Sequence, residues 1–476
     1  MTSPGATTRD LAHDTADSIT GTTERQVSRR SGTFASLAVR NFRLFAAGQV
    51  ISMTGLWMQR IAQDWLILTL THSATAVGLA TAVQCLPTLL LGVVGGAVGD
   101  RYPRRRVLLV TQGAMAMLAG ALAALTLTHA VAPWHVYVIA FALGLVSVVD
   151  NPARQSFVVE IVGPDRLRNA VGINSSVYQL GGFVGPAIAG LTINAVGVGF
   201  AFALNAVSYI APILALSLLR ESELQRLPTA SSPLISEGPT LRDVVKQPQI
   251  FWPLVITAAL GLFALNLPVT LAALTRDTLH AGPGCYGVLN AVVAVGSLLG
   301  ALYSARQTSS RLRVLLLHAA ILSFAYLVAA AAPDVISLSV ALACVGAATL
   351  LLITGANAMV QLAAPRAIQG RVMGVYLVVI LGSATAGGPV LGMLDQHFGA
   401  RFGLLLAGVG LGLVVLGVAC ILARHEGVEL RHPLVGLELR VRPTRRVPAH
   451  GTTHLIRRPQ NVACSPPLTA DVTDER

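Results

Sequence analysis

The chain has 476 residues, of which 54% are hydrophobic and only 12% charged, about half the charged share of an ordinary soluble domain. That balance excludes a water-soluble fold of this length, and the net charge of +12 does not argue for nucleic acid, because the arginines lie in short clusters between apolar runs rather than on one aromatic-studded face. The sole lysine, Lys246, follows Val245, so no G-x-x-x-x-G-K-[ST] phosphate loop exists, and neither G-x-S-x-G nor H-E-x-x-H occurs; ATP hydrolysis and these two hydrolytic chemistries are excluded, and the chain is read as a non-enzyme.

In chain order, residues 1–42 are polar and mixed in charge, without the apolar core of a secretory signal, and are expected to form a cytoplasmic tail. Apolar runs long enough to cross about 30 Å of hydrocarbon then follow. They place spans at 43–70, 76–99, 106–128, 134–158, 169–195 and 199–219, and after a polar linker at 250–275, 284–305, 312–332, 336–361, 371–393 and 401–423. The expected fold is an all-α polytopic membrane protein of twelve helices in two six-helix halves, 43–219 and 250–423, joined by a cytoplasmic linker, 220–249. Residues 424–476, rich in Arg and Pro, are expected to be a disordered cytoplasmic tail, where His450, His454 and Cys464 have no core around them to build a metal site. With Cys85, Cys285, Cys344 and Cys420 they leave no even-numbered disulfide framework.

Putting the termini and every second loop in the cytoplasm places 31 of the 34 Lys and Arg residues there, all but Arg60, Arg276 and Arg401. The excess of inside cations predicts the inner (plasma) membrane with both termini cytoplasmic.

The first span is the most polar: Ser52, Gln59, Arg60, Gln63 and Asp64 fall on one stripe. An Arg or an Asp near mid-membrane costs about 2.5–3.5 kcal/mol on insertion scales, so the stripe should turn away from lipid. Arg60 and Asp64, four apart, can pair on the helix. Asp64 is the first candidate for a proton-titrating group, the alternative being a permanently ionised structural pair. Gln84, Asn174, Ser175, Tyr178, Gln179, Asn266, Asn290 and Asn357 either line a cavity or link helices by hydrogen bonds. Spans 3, 6, 9 and 12 carry no Asp, Glu, Lys or Arg in their interiors, and His318 is their titratable group.

Between spans 2 and 3 stands Gly96-Ala-Val-Gly-Asp100-Arg101-Tyr-Pro-Arg104-Arg105. It resembles the G-x-x-x-D-R-x-G-R-R signature of the major facilitator superfamily, departing at Pro103. At the inner end of span 4, Asp150-Asn-Pro-Ala-Arg154-Gln155 with Glu160, and the early stretch Gly48-Gln49-Val-Ile-Ser52 through Asp64-Trp65, resemble the enterobactin-exporter-like (transmembrane secretion effector) branch. The resemblance implies that Asp150 and Glu160 hold a cytoplasmic gate against the arginines of the second and tenth loops, Arg371 among them, and that spans 3, 6, 9 and 12 lie outermost.

Span 5 reads Gly172, Gly181, Gly185-Pro186, Ala189-Gly190, similar to the superfamily's antiporter signature with one glycine replaced by alanine, which implies export. Small residues at such spacing let helices approach closely. Arg168 with Gly185-Pro186 recurs 203 residues on as Arg371 with Gly388-Pro389, an internal repeat that places a substrate cavity between the halves.

The function expected from these features is secondary transport: proton-coupled export of a small amphipathic molecule, such as a drug, antibiotic, siderophore or other secondary metabolite, by alternating access. The alternative is an importer or facilitator of a small nutrient on the same fold. The expected partners are the small-molecule substrate, protons and the lipid bilayer, with no nucleic acid, cofactor or metal, and a monomeric state.

Overall fold

The computed structural model describes residues 35–163, 166–225, 241–304, 311–365 and 368–425, with residues 35, 93–100, 168, 243 and 425 described by backbone alone. Residues 1–34, linker residues 226–240 and residues 426–476 lie outside the described residues, as do the side chains of Asp100 and Arg168 and the surroundings of Gly96.

Twelve long helical segments follow one another: α1 Arg40–Thr71, α2 Ala74–Arg101, α3 Arg104–Leu127, α4 Pro133–Val162, α5 Leu167–Val196, and α6, Val198–Ser208 continued by Ile210–Ser217. In the second half α7 runs from Pro248–Ala259 through Leu267–Ala273, followed by α8 Pro283–Ser304, α9 Leu312–Ala331, α10 Val335–Ala363, α11 Gln369–Phe398 and α12 Ala400–His425. Eleven of them can cross a membrane by length and composition alone; α1 is not among these, in keeping with its polar stripe. Residues Met1–Cys420 make one compact unit, and Ile421–Arg476 a second whose described part is the end of α12.

Local chemistry sets the helix ends. The Ser73 hydroxyl accepts from Ala76 N–H at the start of α2, and Asp334 accepts from Ile336 and Ser337 N–H, both at 3.0 Å, at the start of α10. The bonds from Ser337 and Ile336 hold the exposed Asp334 carboxyl below the usual carboxylate range. Gly163, Gly197 and Gly399 end α4, α5 and α11 at φ of 72°, 94° and 87°, where a side chain would be strained. Pro248 and Pro133 sit in first turns, where a missing N–H costs nothing. The helix α7 is broken: Leu260–Ala264 forms a wide turn just before Asn266, and Pro268 lies in the first turn of the next segment.

Lipid tails are as apolar as leucine, so the helices are held by close packing and interhelical hydrogen bonds rather than by hydrophobic burial alone. Glycines mark the closest approaches. A Cβ on Gly296 of α8 would strike the Ala343 carbonyl of α10, and one on Gly346 of α10 would strike the Val293 carbonyl of α8. In the first half, Phe45 of α1 meets Phe157 of α4 edge to face, with centroids 5.8 Å apart. Met117 of α3, Val207 of α6, Phe324 of α9 and Leu413 of α12 are exposed apolar side chains, but exposed apolar residues are as numerous on α5, α8 and α11, so they do not single out four outer helices.

The halves touch through two equivalent crossings. Gly190 of α5 packs on Gly284 and Gly287 of α8, and Gly287 lies on the Pro186 carbonyl; Gly78 of α2 packs on the Gly388 carbonyl and Pro389 of α11. Both crossings lie toward the end that carries Ser73, Pro133 and Asp334, here called the arginine-poor end. Toward the opposite, arginine-rich end, a Cβ on Gly92 of α2, Gly172 of α5 or Gly370 and Gly374 of α11 would meet nothing within 4 Å. Three of these helices, α2, α5 and α11, thus meet the other half at the clasped, arginine-poor end, while at the arginine-rich end their glycines face open space.

Candidate functional site

The repeated Gly-Pro motif has a direct structural use. In α5, Gly181 faces Met53, and Gly185 faces Trp57 and the Thr54 carbonyl, so α1 seats in the groove; Gly190 then carries the crossing to α8. In α11, Gly387 receives the Leu262 carbonyl of α7, while Gly388 and Gly392 carry the crossing to α2. Each Gly-Pro helix thus binds the first helix of its own half and one helix of the other. Gly172 stands apart, in open space at the parted end.

Polar groups lock the clasped end across the halves. Gln396 of α11 accepts from the Ser73 hydroxyl at 2.7 Å and the Thr75 hydroxyl at 2.8 Å. Arg276, in the wide turn Leu274–Thr278 that follows α7, donates to the Leu68 carbonyl of α1 and to His72 Nδ1. Arg276 was one of three cations that the loop charge pattern left on the far side; here it satisfies a carbonyl at the C-terminus of α1.

Deeper in, Asp64 of α1 is buried, and the Tyr286 hydroxyl of α8 lies 3.2 Å from its Oδ2 and 3.2 Å from the Pro268 carbonyl. Trp65 stacks on the Tyr286 ring with centroids 5.9 Å apart. Arg60 forms no ion pair with Asp64 within 4.0 Å among the described residues; its guanidinium lies 5.3 Å from the Trp57 ring centre. Spacing alone suggested the pair, but Asp64 turns instead toward α8.

The amides of the stripe divide by use. Gln59 accepts from Asn205 of α6, Asn266 donates to the Ala384 carbonyl of α11 at 3.0 Å, and Asn290 donates to the Tyr286 carbonyl at 2.9 Å; all three are buried and join or brace helices. Gln63 is buried and reaches Gln84 at 3.4 Å. Gln84, Asn174, Tyr178, Gln179 and Asn357 are half-buried or exposed, as is Arg60. Tyr178 meets Trp57 edge to face at 5.4 Å.

At the arginine-rich end the acids pair inside the first half. Asp150, fully buried, accepts from Thr111 at 2.7 Å and Gln112 at 2.9 Å and pairs with Arg154, which also donates to Gln49 at 3.2 Å. Arg104 pairs with Glu160. Arg105 donates to the Leu216 and Ser217 carbonyls of α6 and pairs with Glu221. Arg101 and Arg371 are exposed. No described ion pair joins Asp150 or Glu160 to the second half in this state, which fits helices parted at this end.

The sequence pattern did not flag Tyr286, Asn205, Thr111, Gln112 or Asp395. The last is a buried acid near the end of α11, packed against Gly403 of α12, and neither of its oxygens has a hydrogen-bond partner among the described residues. Among the described residues no group of three or more His, Cys, Asp or Glu is placed to hold a metal.

Comparison with known proteins accords with this geometry. The sequence profile of a family described as transmembrane secretion effector matches residues 31–434. The chain is 26% identical over 265 residues to the staphyloferrin A transporter of Staphylococcus aureus, covering 55% of this chain and 66% of that protein. It is 28% identical to the multidrug efflux pump Tap of Mycolicibacterium fortuitum, covering 76% and 90%. To the enterobactin exporter EntS of Escherichia coli strain K12 it is 26% identical, covering 82% and 92%. In fold it is similar to a bacterial homologue of the human lysosomal transporter Spinster, crystallised inward-facing and occupied, with a TM-score of 0.61 at 16% identity over 83% of this chain and 98% of that one.

Proposed function

The chain belongs to the transmembrane secretion effector family of the major facilitator superfamily, and from that premise we propose that it exports a small amphipathic molecule in exchange for protons by alternating access. As a member it is a multi-pass membrane transporter. Relatives that bear the names of siderophore and drug exporters support the outward direction and a cargo of that class. The chain's place is the inner membrane, with the arginine-rich end and both termini in the cytoplasm, as the distribution of cations favours, and it works as a monomer.

The observation that carries the proposal is the Tyr286 hydroxyl, shared between Asp64 of one half and the Pro268 carbonyl of the other at 3.2 Å each. A phenol has one proton to donate, so it serves one acceptor at a time. Ionised Asp64 is the stronger acceptor and ties α1 to α8, holding the arginine-poor end shut. A proton on Asp64 weakens that tie and releases the hydroxyl to Pro268. The clasp can then open, and cargo bound from the cytoplasmic side leaves while protons enter from the other.

Efflux from cells tests this. Cells expressing the chain, loaded with a panel of fluorescent dyes and antibiotics, should retain less of at least one compound than control cells, and a protonophore should abolish the difference. Equal retention with and without the chain for every compound, or efflux indifferent to the protonophore, overturns the proposal.

A further inference from the structure

Arg60 stands out once Asp64 is accounted for. A guanidinium cannot shed its charge at physiological pH, and within a membrane protein it ordinarily finds a carboxylate or a set of carbonyls. Among the described residues Arg60 has neither: it makes no hydrogen bond, no carboxylate lies within 4.0 Å, and its described contact is the face of Trp57. Arg154 and Arg276, by contrast, each donate to protein acceptors. Arg60 is also only partly buried, whereas Asp64 one turn on is covered by Tyr286.

The surroundings of Arg60 have a definite chemistry. Trp57 and Tyr178 meet edge to face at 5.4 Å, and Tyr178, 44% exposed, offers a flat apolar ring and a hydroxyl. Gln84 and Cys85 of α2 are half-buried, and Tyr178, Cys85, Asp64 and Tyr286 are all close enough to act on the Arg60 charge. The described groups are thus rich in donors, with an aromatic wall beside a fixed cation that makes no hydrogen bond and no ion pair within 4.0 Å among the described residues, Asp64 acting on it only from farther off.

Resting on the transport reading above, we propose that Arg60, Trp57 and Tyr178 form the binding site for an amphipathic anion: a carboxylate or other acidic group on Arg60, with an aromatic or flat apolar body against the two rings. A cation is disfavoured there, because the covered Asp64 cannot reach it while Arg60 repels it. The proton site and the cargo site then stand one helical turn apart on α1. Export of an anion moves negative charge outward, the direction that an interior-negative membrane favours.

Binding is the direct test, because it does not depend on turnover. The purified full chain in lipid nanodiscs is titrated with two probes on one xanthene frame, fluorescein as the anion and rhodamine 123 as the cation, in mildly alkaline buffer, and polarisation is read. Fluorescein should bind at least about tenfold tighter than rhodamine 123, the size expected for one charge-assisted contact. Arg60→Gln should erase that preference, and Arg60→Lys should keep most of it; both must elute as single monodisperse species. Equal affinity for the two probes, binding of neither, or an unchanged fluorescein affinity in Arg60→Gln overturns the anion site. Protonophore-sensitive efflux would still stand in that event, so failure here and failure of the export proposal are told apart.

Discussion

Asp150→Ala is expected to destabilise the protein by about 3–5 kcal/mol, the usual cost of removing one member of a buried ion pair. Asp150 is fully buried and serves three groups at once: the Thr111 hydroxyl, the Gln112 amide and the Arg154 guanidinium. Truncation leaves a buried cation and two buried donors without their acceptor. Gln112 Oε1 and Arg154 Nε already have no partner, so the network has little spare capacity to rearrange. Replacing both charges, as Asp150→Leu with Arg154→Met, should recover much of the loss, since the penalty comes from the uncompensated charge. Thermal unfolding of the purified protein checks both. A single variant as stable as the wild type would mean that Asp150 is not the centre of this network.

Asp64→Asn is expected to abolish proton-driven accumulation while leaving a folded protein. Asparagine keeps the size of the side chain and an oxygen for Tyr286, but it cannot exchange a proton. One coupled charge is worth about 2.3 kcal/mol at 100 mV, or about a fiftyfold concentration ratio. Loss of that charge should collapse the gradient by roughly this factor, while exchange of labelled for unlabelled cargo continues. Counterflow and net transport in proteoliposomes with an imposed proton gradient separate the two. Net transport at the wild-type level would remove Asp64 from the coupling step.

Much of the fold is written in the sequence, because membrane insertion uses coarse signals. Hydrocarbon length fixes where helices start and stop, and the arginine clusters mark every second connection. The glycine-proline repeat announced helix crossings, and Gly78 against Gly388 and Gly190 against Gly287 are such crossings between the halves. The charge pattern also isolated Arg60 and Arg276 as exceptions. Arg60 lies against Trp57 with no ion pair within 4.0 Å among the described residues, and Arg276 is a lock at the clasped end.

What stayed hidden depends on which neighbour a helix face meets. Gln59, Asn266 and Asn290 share the polarity of Asn174 and Asn357, yet the first three are spent on protein partners. A polar stripe is wide enough to cover both a cavity and an adjacent helix, so spacing does not separate the two uses. Thr111 and Gln112 lie on a helix whose other face meets lipid, and only the packing of α3 on α4 turns them toward Asp150. Asp395 escaped notice for a different reason: hydropathy ends its span at 393, whereas α11 runs on to Phe398 and carries the carboxylate into the protein. Tyr286 carries no charge and so raised no flag, although its hydroxyl is a contact between the halves on which the proposed mechanism turns.

The most direct measurement holds the clasped end shut. In a cysteine-free background, Ser73→Cys and Gln396→Cys place two thiols where the wild-type side chains are 2.7 Å apart. A short bis-methanethiosulfonate reagent should link them readily. Transport should then stop, and should return when a reductant cleaves the link, because cargo can leave only if α2 and α11 separate there. A linked protein that transports at the unlinked rate would contradict the alternating opening of the two ends.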